Sequence, residues 1–425
     1  MNYVSFKINI DTESFDYCID NNIEVFSLMK NTPQRVVLGD AKKYFVVIDC
    51  STAAENWTYN SDGNILLFDV LERELKSDSK FGLIYKDLLE RKCSILFYFR
   101  ERTFINTDNF FSHLNSTLQK LNLNKNQILF SIIEFYYDGL KNNDYQILQI
   151  PYYAFNTCWW NSKRVKRLKD FYSLYSDYSK TFLRQKNFIC TNNRIRHFRS
   201  WVTYTFFENN LFDKGYVSYL ANNDDPENKY NFDDFLLDIK HSHGNNSEHI
   251  FSDEKNRKLK EFYDLLPIEC DTKKNERVTN HESGMAIQGI MLNSYFNIIT
   301  EASANYTKNP VGNVFITEKT WKPILARQPF ILIGQEKHLY ALRKMGFKTF
   351  EPFIDESYDE ELGTKKYDII EKEIKRLGNM SRNEIDDWYW EMDEILQYNS
   401  NNFLSMFRRS VSNVNNFIEG GWSRI

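Results

Sequence analysis

Residues 314–334 read VFITEKTWKPILARQPFILIG, and this stretch decides the interpretation of the chain. It opens with Glu318 and Lys319 where a helix is predicted to begin, and it closes with an apolar, strand-like run that stops at Gly334. Free N–H groups and the helix dipole attract an anion at such a helix start, and the Lys319 ammonium adds a full charge. A carboxylate such as Glu318 accepts hydrogen bonds from ribose hydroxyls. Together they indicate a nucleotide diphosphate site, with an ordinary capping pair as the plainer alternative.

The segments around this stretch alternate strand-like and helix-like patterns. Gly346 is a typical helix stop, and Pro323 is expected in the first turn of its helix, which would then begin near Lys319 or Thr320. Strand–helix–strand repeats of this kind are what a nucleotide-binding α/β half requires. The predicted order is strand 295–300 followed by Glu301, helix 317–328, strand 329–333, helix 336–345 and strand 347–350.

The remainder of the chain predicts a further α/β region. Strand-like runs at 44–50, 94–99, 128–133 and 147–150 alternate with helical patterns, which implies a parallel sheet. We therefore predict an α/β fold with two domains, residues 1–180 and 181–400, and a final helix within 401–425 that packs back on the first domain. In the second domain we expect a strand at 188–191, a helix at 198–209, a polar insertion at 221–283 with a helix near 253–265, and a capping box at 381–384.

Composition limits the class of protein. The chain has 425 residues, too many for one ordinary core, and 42% of them are hydrophobic and 26% charged, as in globular proteins. No apolar run approaches the roughly 20 residues of a membrane helix, and the N-terminus lacks a signal-peptide pattern. The six cysteines are scattered without CxxC spacing, which fits reduced thiols and argues against a structural zinc site. We expect a cytoplasmic protein with no membrane partner.

A basic segment interrupts an otherwise acidic chain. The net charge is −4, yet residues 163–199 contain eleven lysines and arginines against two aspartates, a local charge of +9. Such a block is a candidate contact for a polyanion, and a solvated helix face with a few phosphate-binding arginines is the alternative. The residues expected at a polyanion or acceptor are Lys163, Arg164, Lys166 and Arg167.

Two segments resemble the donor-binding signature of α-1,3-fucosyltransferases. In that family a strand ending in glutamate precedes an Ile-Thr-Glu-Lys-Leu-Trp segment; here residues 296–301 precede FITEKTW at 315–321. NNRIR at 192–196 is similar to the family's Ser-Asn…Arg stretch, and the pattern through 346–359 resembles glycosyltransferase-like proteins of tailed phages and marine microbes. The resemblance covers roughly residues 188–360. It implies a GT-B fold, in which two Rossmann-like domains face each other across a cleft.

The resemblance also implies roles for single residues. Lys319 would bind the donor phosphates and Glu318 the ribose. Arg196, or Arg194 in an alternative register, would neutralise the diphosphate as it leaves, and Glu301 would line the sugar site. The full implied donor-binding set is Asn192, Arg194, Arg196, Glu301, Thr317, Glu318 and Lys319.

The general base is left open by the sequence. An inverting transfer needs a carboxylate or a histidine near the acceptor hydroxyl, whereas a retaining transfer does not. Asp49 is the candidate because it ends a strand of the first domain, where α/β sites lie, and Glu134 and Asp138 are its rivals.

No metal is expected. The chain has no Asp-x-Asp motif, so we expect cations such as Arg196 to act catalytically by stabilising the leaving group. His241, His243 and His249 are interpreted as part of a polar loop rather than a metal site, and His197 as a helix-surface residue or a phosphate contact.

These features predict a metal-independent glycosyltransferase, hexosyl or pentosyl, without a cofactor and with a UDP- or GDP-sugar as co-substrate. The favoured acceptor is a hydroxymethylated pyrimidine in double-stranded phage DNA, inside the host cytoplasm. The basic segment, with its interleaved aromatic residues, would grip phosphates and stack an extruded base. A surface polysaccharide or a protein is the alternative acceptor. A non-catalytic nucleic-acid- or nucleotide-binding protein with the same fold is the further alternative.

Overall fold

A computed structural model describes the chain over a set of separate ranges. They are residues 6–8, 15–17, 25–27, 44–49, 66–76, 80–100, 108–133, 135–137, 144–150, 154, 157, 183–222, 229–242, 252–270, 289–304, 313–406 and 409. The chain divides into two compact units, residues 1–151 with 408–425, and residues 152–407.

The first unit is built on a parallel sheet. Its elements are β1 (Phe6–Ile8), β2 (Phe15–Tyr17), β3 (Val25–Ser27), β4 (Tyr44–Asp49), α1 (Leu66–Leu75), α2 (Lys80–Leu89), β5 (Cys93–Arg100), α3 (Asp108–Lys120), β6 (Ile128–Ile133), β7 (Phe135–Tyr137) and β8 (Gln146–Ile150). Five strands pair in the order β3-β4-β5-β6-β8, and every neighbouring pair is parallel. Strands buried on both faces need continuous apolar runs, and SILF within β5 and ILF within β6 supply them.

The core of this unit is aromatic. Phe97 of β5 stacks on Phe130 of β6 with ring centroids 5.3 Å apart, and Phe68 of α1 meets Phe97 edge-on at 6.1 Å. All three side chains are fully buried. Offset and edge-on ring pairs add to the stabilisation that apolar burial already gives, so these contacts fix α1 on the sheet.

The second unit has its own parallel sheet. Its elements are β9 (Lys186–Asn192), α4 (His197–Glu208), β10 (Gly215–Tyr219), α5 (Phe232–Ser242), α6 (Asp253–Tyr263), α7 (Gly289–Leu292), β11 (Ser294–Thr300), β12 (Asn313–Phe315), α8 (Glu318–Leu325), β13 (Phe330–Ile333), α9 (His338–Lys344), α10 (Gly363–Gly378) and α11 (Arg382–Glu391), and residues 393–406 are also helical.

The strand order of this second sheet reverses. Four strands pair in the order β10-β9-β11-β13, all parallel. The chain moves from β9 outward to β10 and then returns past β9 to β11, so the order changes direction between β9 and β11. Ligands of open α/β sheets bind at such a switch point, outside the carboxyl ends of the strands.

Side chains fasten the beginning of the first strand of this sheet. The buried Asn187 amide donates to the carbonyls of Leu377, Gly378 and Met380, which lie at the end of α10 and just beyond it. On one face of β9, Phe188 packs on Phe206 of α4 with ring centroids 4.9 Å apart. These contacts hold the end of α10 and one side of α4 against the beginning of the strand.

The parallel α/β fold predicted from the sequence is confirmed. The predicted strands at 44–50, 94–99, 128–133, 147–150, 188–191, 295–300 and 329–333 appear within a residue or two of their expected bounds. The predicted capping box also forms, since Ser381 accepts from the Glu384 N–H and Glu384 accepts from the Ser381 N–H.

The strand predicted at 347–350 is wrong. Those residues do not pair with any described strand, because side chains bind their backbone groups. Asn399 accepts from the Lys348 N–H at 2.9 Å and donates to the Lys348 carbonyl at 2.8 Å, and Glu356 accepts from the Phe350 N–H at 2.6 Å. A segment with strand-type residues thus forms no β-ladder where polar side chains from later in the chain bind its backbone N–H and C=O groups.

Two helix predictions also need correction. The helix α8 begins at Glu318, so Pro323 is its sixth residue rather than part of its first turn. Because proline has no N–H, the helix lacks only the hydrogen bond to the Lys319 carbonyl. The helix ends two residues later, so the proline disrupts no further turn and destabilises the helix little. Within the insertion at 221–283, the helix α5 was not predicted; it buries Phe235 and Ile239.

None of the helices in the described part of the chain combines the length and the apolar character needed to cross a membrane. Of the final helix expected within 401–425, residues 401–406 are helical, and most of the remainder lies outside the described ranges.

Candidate functional site

The carboxyl ends of β9 and β11 meet through a polar contact. The Thr300 hydroxyl at the end of β11 donates a hydrogen bond to the side-chain oxygen of Asn192 at the end of β9. Both residues are buried. Asn192, predicted for the donor-binding set, therefore lies directly at the switch point and joins its two strands.

Glu301 links β11 to the start of α8. Its carboxylate accepts from the Thr317 N–H at 3.1 Å, the Thr317 hydroxyl at 2.6 Å, the Thr320 hydroxyl at 2.6 Å and the Ala302 N–H at 3.2 Å. A carboxylate offers about four acceptor positions, and all are used here. Glu301 is fully buried, so the contacts that the structure gives it position the start of α8.

Thr317, Glu318 and Lys319 lie together in the first turn of α8. Thr317 is the N-cap and accepts from the Lys319 N–H, and the Lys319 ammonium donates to the Glu318 carboxylate at 2.8 Å. Burial works to raise the pKa of Glu318, but the charges of Lys319 and Lys322 outweigh it and lower that pKa.

Three of the N–H groups at this helix start have acceptors within the protein. The N–H of Thr317 is accepted by Glu301, that of Lys319 by the Thr317 hydroxyl, and that of Thr320 by the Thr317 carbonyl. A protein carboxylate thus accepts from the start of the helix that the sequence suggested for a phosphate. These three N–H groups are not available to an anion beside α8.

Lys319 and Lys322 both line a cleft between α8 and the sheet. Thr191 and Ile189 of β9 and Ile299 of β11 are among the residues on its other side. The cavity has a volume of about 30 Å³, room for one water molecule, so a larger ligand would lie at its opening. These residues belong to the face of the sheet opposite to Phe188 and α4, since side chains alternate along β9.

The connection from β9 to α4 carries the predicted arginines. Arg194 is half-buried, and Arg196 is exposed and serves as the N-cap residue of α4. No side chain caps this helix, unlike α8. Two arginines beside an uncapped helix start, at a switch point, form an arrangement suited to a phosphate group.

Arg199 is a residue of this site that sequence analysis treated only as part of the basic segment. Its guanidinium, 5% exposed, donates to the Arg194 carbonyl at 3.0 Å, the Thr300 carbonyl at 3.5 Å and the Glu301 carbonyl at 3.4 Å. It therefore ties the arginine loop to the end of β11. The sequence did contain a signal for the burial of Arg199. Arg199 precedes Val202 by three positions and Phe206 by seven, which places it on the apolar face of the predicted helix.

Burial and neighbouring cations perturb the groups around this loop. Burial, reinforced by Arg196, lowers the pKa of Arg199 to about 10. Burial also lowers the pKa of His197 to about 4, with further contributions from His241 and Arg196. Positive charge thus accumulates at the start of α4, as an anion site requires.

His241 lies on the helix α5 rather than in a loop, with its ring 6.4 Å from that of His197. His243 and His249 lie outside the described residues. Within the described ranges, no group of three or more His, Cys, Asp or Glu side chains is arranged to hold a metal ion.

The third helix start at this edge of the sheet is that of α9. Its N–H groups also have an acceptor within the protein. The Asp359 carboxylate accepts from the Leu339 and Tyr340 N–H groups, each at 2.9 Å. Gly334 directly follows β13, and a Cβ at this position would lie 2.7 Å from a terminal carbon of Leu332 and 3.0 Å from a ring nitrogen of His338. Leu332 and the fully buried His338 therefore leave no room for a side chain at this position.

The other predicted residues belong to the first unit or fall outside the described residues. Asp49 ends β4 opposite Tyr98 of β5, in a sheet whose strand order runs without reversal, and its side chain is not described. Glu134, Asp138 and the predicted polyanion contacts lie outside the described residues; those contacts are Lys163, Arg164, Lys166 and Arg167.

The described part of the basic segment does not form one surface. Arg184 and Lys186 lie at the start of β9, whereas Arg194, Arg196 and Arg199 lie beyond its end. Seven strand residues separate the two groups by about 20 Å. Arg184 is buried over the Tyr389 ring, 3.9 Å from its centroid, which makes it part of the core.

The structure thus connects Asn192, Arg194, Glu301, Thr317, Glu318 and Lys319 through a continuous set of contacts at the switch point of one sheet. Comparison of the chain with protein-family models, with curated proteins and with solved structures finds no match.

Proposed function

We propose that the protein is a glycosyltransferase that moves a sugar from a nucleotide-sugar donor to a hydroxyl acceptor. The proposed architecture is GT-B, with the second unit binding the donor. The observation that carries the proposal is the convergence of the Arg194–Arg196 loop and the Glu318–Lys319 pair on the carboxyl ends of β9 and β11. This is where open α/β sheets bind nucleotides.

The charges near this point suit the proposed chemistry. Departure of a nucleoside diphosphate builds up negative charge, and preorganised cations stabilise it most effectively when they need not rearrange. Arg199 holds the arginine loop in place through three backbone carbonyls, and Glu318 orients the Lys319 ammonium. In this proposal Arg196 and Lys319 contact the donor phosphates, and Glu301 acts by positioning Thr317 and α8.

The proposed acceptor is based on the sequence alone. A hydroxymethylated pyrimidine in phage DNA is the proposed acceptor because of the basic and aromatic segment at 163–182. A polysaccharide or a protein acceptor is the alternative. Asp49 remains the proposed base for an inverting transfer, on the ground that it ends a parallel strand.

Donor binding and donor turnover test the proposal in two stages. UDP, GDP, CMP and dTDP are screened by thermal shift, since a ligand of the folded state raises the melting temperature. UDP- and GDP-sugars are then incubated with the protein, and slow release of the nucleotide is expected. Lys319→Ala should abolish release, while Lys375→Ala, on the exposed side of α10 beside Glu371, should not.

Two results would contradict different parts of the proposal. Failure of every nucleotide to bind would refute the donor site. Binding of nucleotide or DNA without release from any sugar nucleotide would favour the non-catalytic binding protein. A mass shift of hydroxymethylated DNA, compared with a polysaccharide or a protein substrate, would identify the acceptor.

A further inference from the structure

Lys322, which the predicted donor-binding set omits, lies on the same side of α8 as Lys319. The two residues are three positions apart, hence neighbours on the helix surface, with a rise of about 4.5 Å between them. Both line the cleft between α8 and the sheet, together with Thr191 at the end of β9.

Both lysines act electrostatically on one carboxylate, that of Glu318. Lys319 donates to Glu318 at 2.8 Å, and Lys322 also acts electrostatically on Glu318, since the two charges together lower the pKa of that carboxyl against the effect of its burial. Side chains on a helix lean toward its N-terminus, so Lys322 leans back toward Lys319. The two lysines thus bring two positive charges to this side of α8, next to the negative charge of Glu318.

Three backbone N–H groups at the start of α8 are not available to an anion. The first N–H groups of α8 are accepted by Glu301 and by Thr317, as described above. The capacity of this cleft for phosphate is therefore set by its ammonium groups. Lys319 alone can donate a charge-assisted hydrogen bond to one phosphate. With Lys322 beside it, each of the two phosphates of a diphosphate can accept from one ammonium group.

We propose that Lys322 binds the second phosphate of the donor, so that this cleft selects nucleoside diphosphates over nucleoside monophosphates. The inference rests on the proposed function and adds to it the residue that holds the second phosphate of a UDP- or GDP-type donor. The phosphates lie at the opening of the cavity, which itself holds no more than a water molecule.

Calorimetric titration with matched nucleotide pairs tests this assignment. UDP, GDP, CDP and dTDP, each with its monophosphate, are titrated into the wild type and into Lys322→Gln, Lys322→Arg, Lys319→Gln and Lys375→Gln. We expect one diphosphate to bind the wild type at least about tenfold more tightly than its monophosphate. Lys322→Gln should weaken diphosphate binding about tenfold and monophosphate binding by less than about twofold, as the loss of one charge-assisted hydrogen bond predicts.

The controls separate this inference from the proposed function. Lys322→Arg should keep most of the diphosphate preference, Lys319→Gln should weaken both ligands, and Lys375→Gln should change neither. If the wild type binds a nucleotide but Lys322→Gln leaves the diphosphate-to-monophosphate ratio unchanged, the role of Lys322 is wrong and the donor site stands. If no nucleotide binds the wild type, both are wrong.

Discussion

The helices α4 and α8 both start at the carboxyl edge of the second sheet, but their N-termini are used in different ways. The start of α8 is closed: Glu301 and the Thr317 side chain accept its N–H groups. The start of α4 has no side-chain cap and is surrounded by arginines. The difference teaches that a helix start resembling an anion site in sequence can already contain an anion, the protein's own carboxylate.

The α9 start follows the closed pattern, with Asp359 in the role of Glu301. Of these three described helix starts, the α4 start is the one without a side-chain cap on its N–H groups. The comparison therefore predicts that removing the carboxylates that close the α8 and α9 starts reduces stability, whereas substituting Arg196 at the α4 start reduces ligand binding.

The largest effect is expected at Glu301. Glu301→Ala removes the acceptor of four hydrogen bonds from the interior, and the buried donors of Thr317 and Thr320 lose their partner. We expect the free energy of unfolding to fall by about 4 kcal/mol, measured by urea denaturation. Glu391→Ala, at the exposed end of α11, is the control and should change it by less than about 0.5 kcal/mol. An equally small effect of Glu301→Ala would show that the α8 start is not closed.

A smaller effect is expected at the β13–α9 junction as the pH falls. Burial, with a contribution from Lys366, lowers the pKa of His338 from 6.5 to about 3. The unfolded chain therefore takes up a proton between these pH values that the folded chain does not, and stability falls as the pH drops below about 6.5. Between pH 7 and pH 5 the wild type should lose about 2 kcal/mol more than His338→Leu.

This pH effect is measured by urea denaturation of both proteins at the two pH values. The leucine replacement suits the site because, within the described ranges, neither ring nitrogen of His338 has a hydrogen-bond partner. Equal losses in the two proteins would mean that His338 is accessible to water and that this junction is less tightly packed than its contacts indicate.

The smallest effect on stability is expected at Arg196. Arg196 is exposed, and its guanidinium donates to the neighbouring Ile195 carbonyl at 2.7 Å, so Arg196→Ala should change the free energy of unfolding by less than about 0.5 kcal/mol. The affinity for the donor nucleotide, measured by titration calorimetry, should fall about tenfold. A stability loss as large as that of Glu301→Ala, with unchanged affinity, would reverse the comparison between the two helix starts.

The sequence predicted those parts of the fold that depend on local pattern. Tyr44–Asp49 and Ser294–Thr300 are strands because their β-branched and aromatic residues form continuous apolar runs. The strand predicted at 347–350 failed because Asn399, about 50 residues later, supplies its hydrogen bonds. No pattern within a short window carries information about such a partner.

The contacts within the candidate site show the same limit of local patterns. Glu301 and Thr317 were identified from sequence, but their mutual contact spans 16 positions and was not anticipated. The role of Arg199 required knowing that the carbonyls of Thr300 and Glu301, more than 100 positions away, lie beside α4. Residue types at the site were accessible from sequence, whereas the assignment of each to binding or to support was not.

Asn187 has a practical consequence for dissecting this protein. Its amide, at the beginning of β9, serves three carbonyls some 190 positions later. A fragment that stops short of residue 380 would leave that amide buried with too few acceptors, at the cost of an unmade internal hydrogen bond. Limited proteolysis or truncation aimed at isolating the second unit should therefore retain the chain at least through residue 380, because the carbonyls of Leu377, Gly378 and Met380 complete the contacts of its first strand.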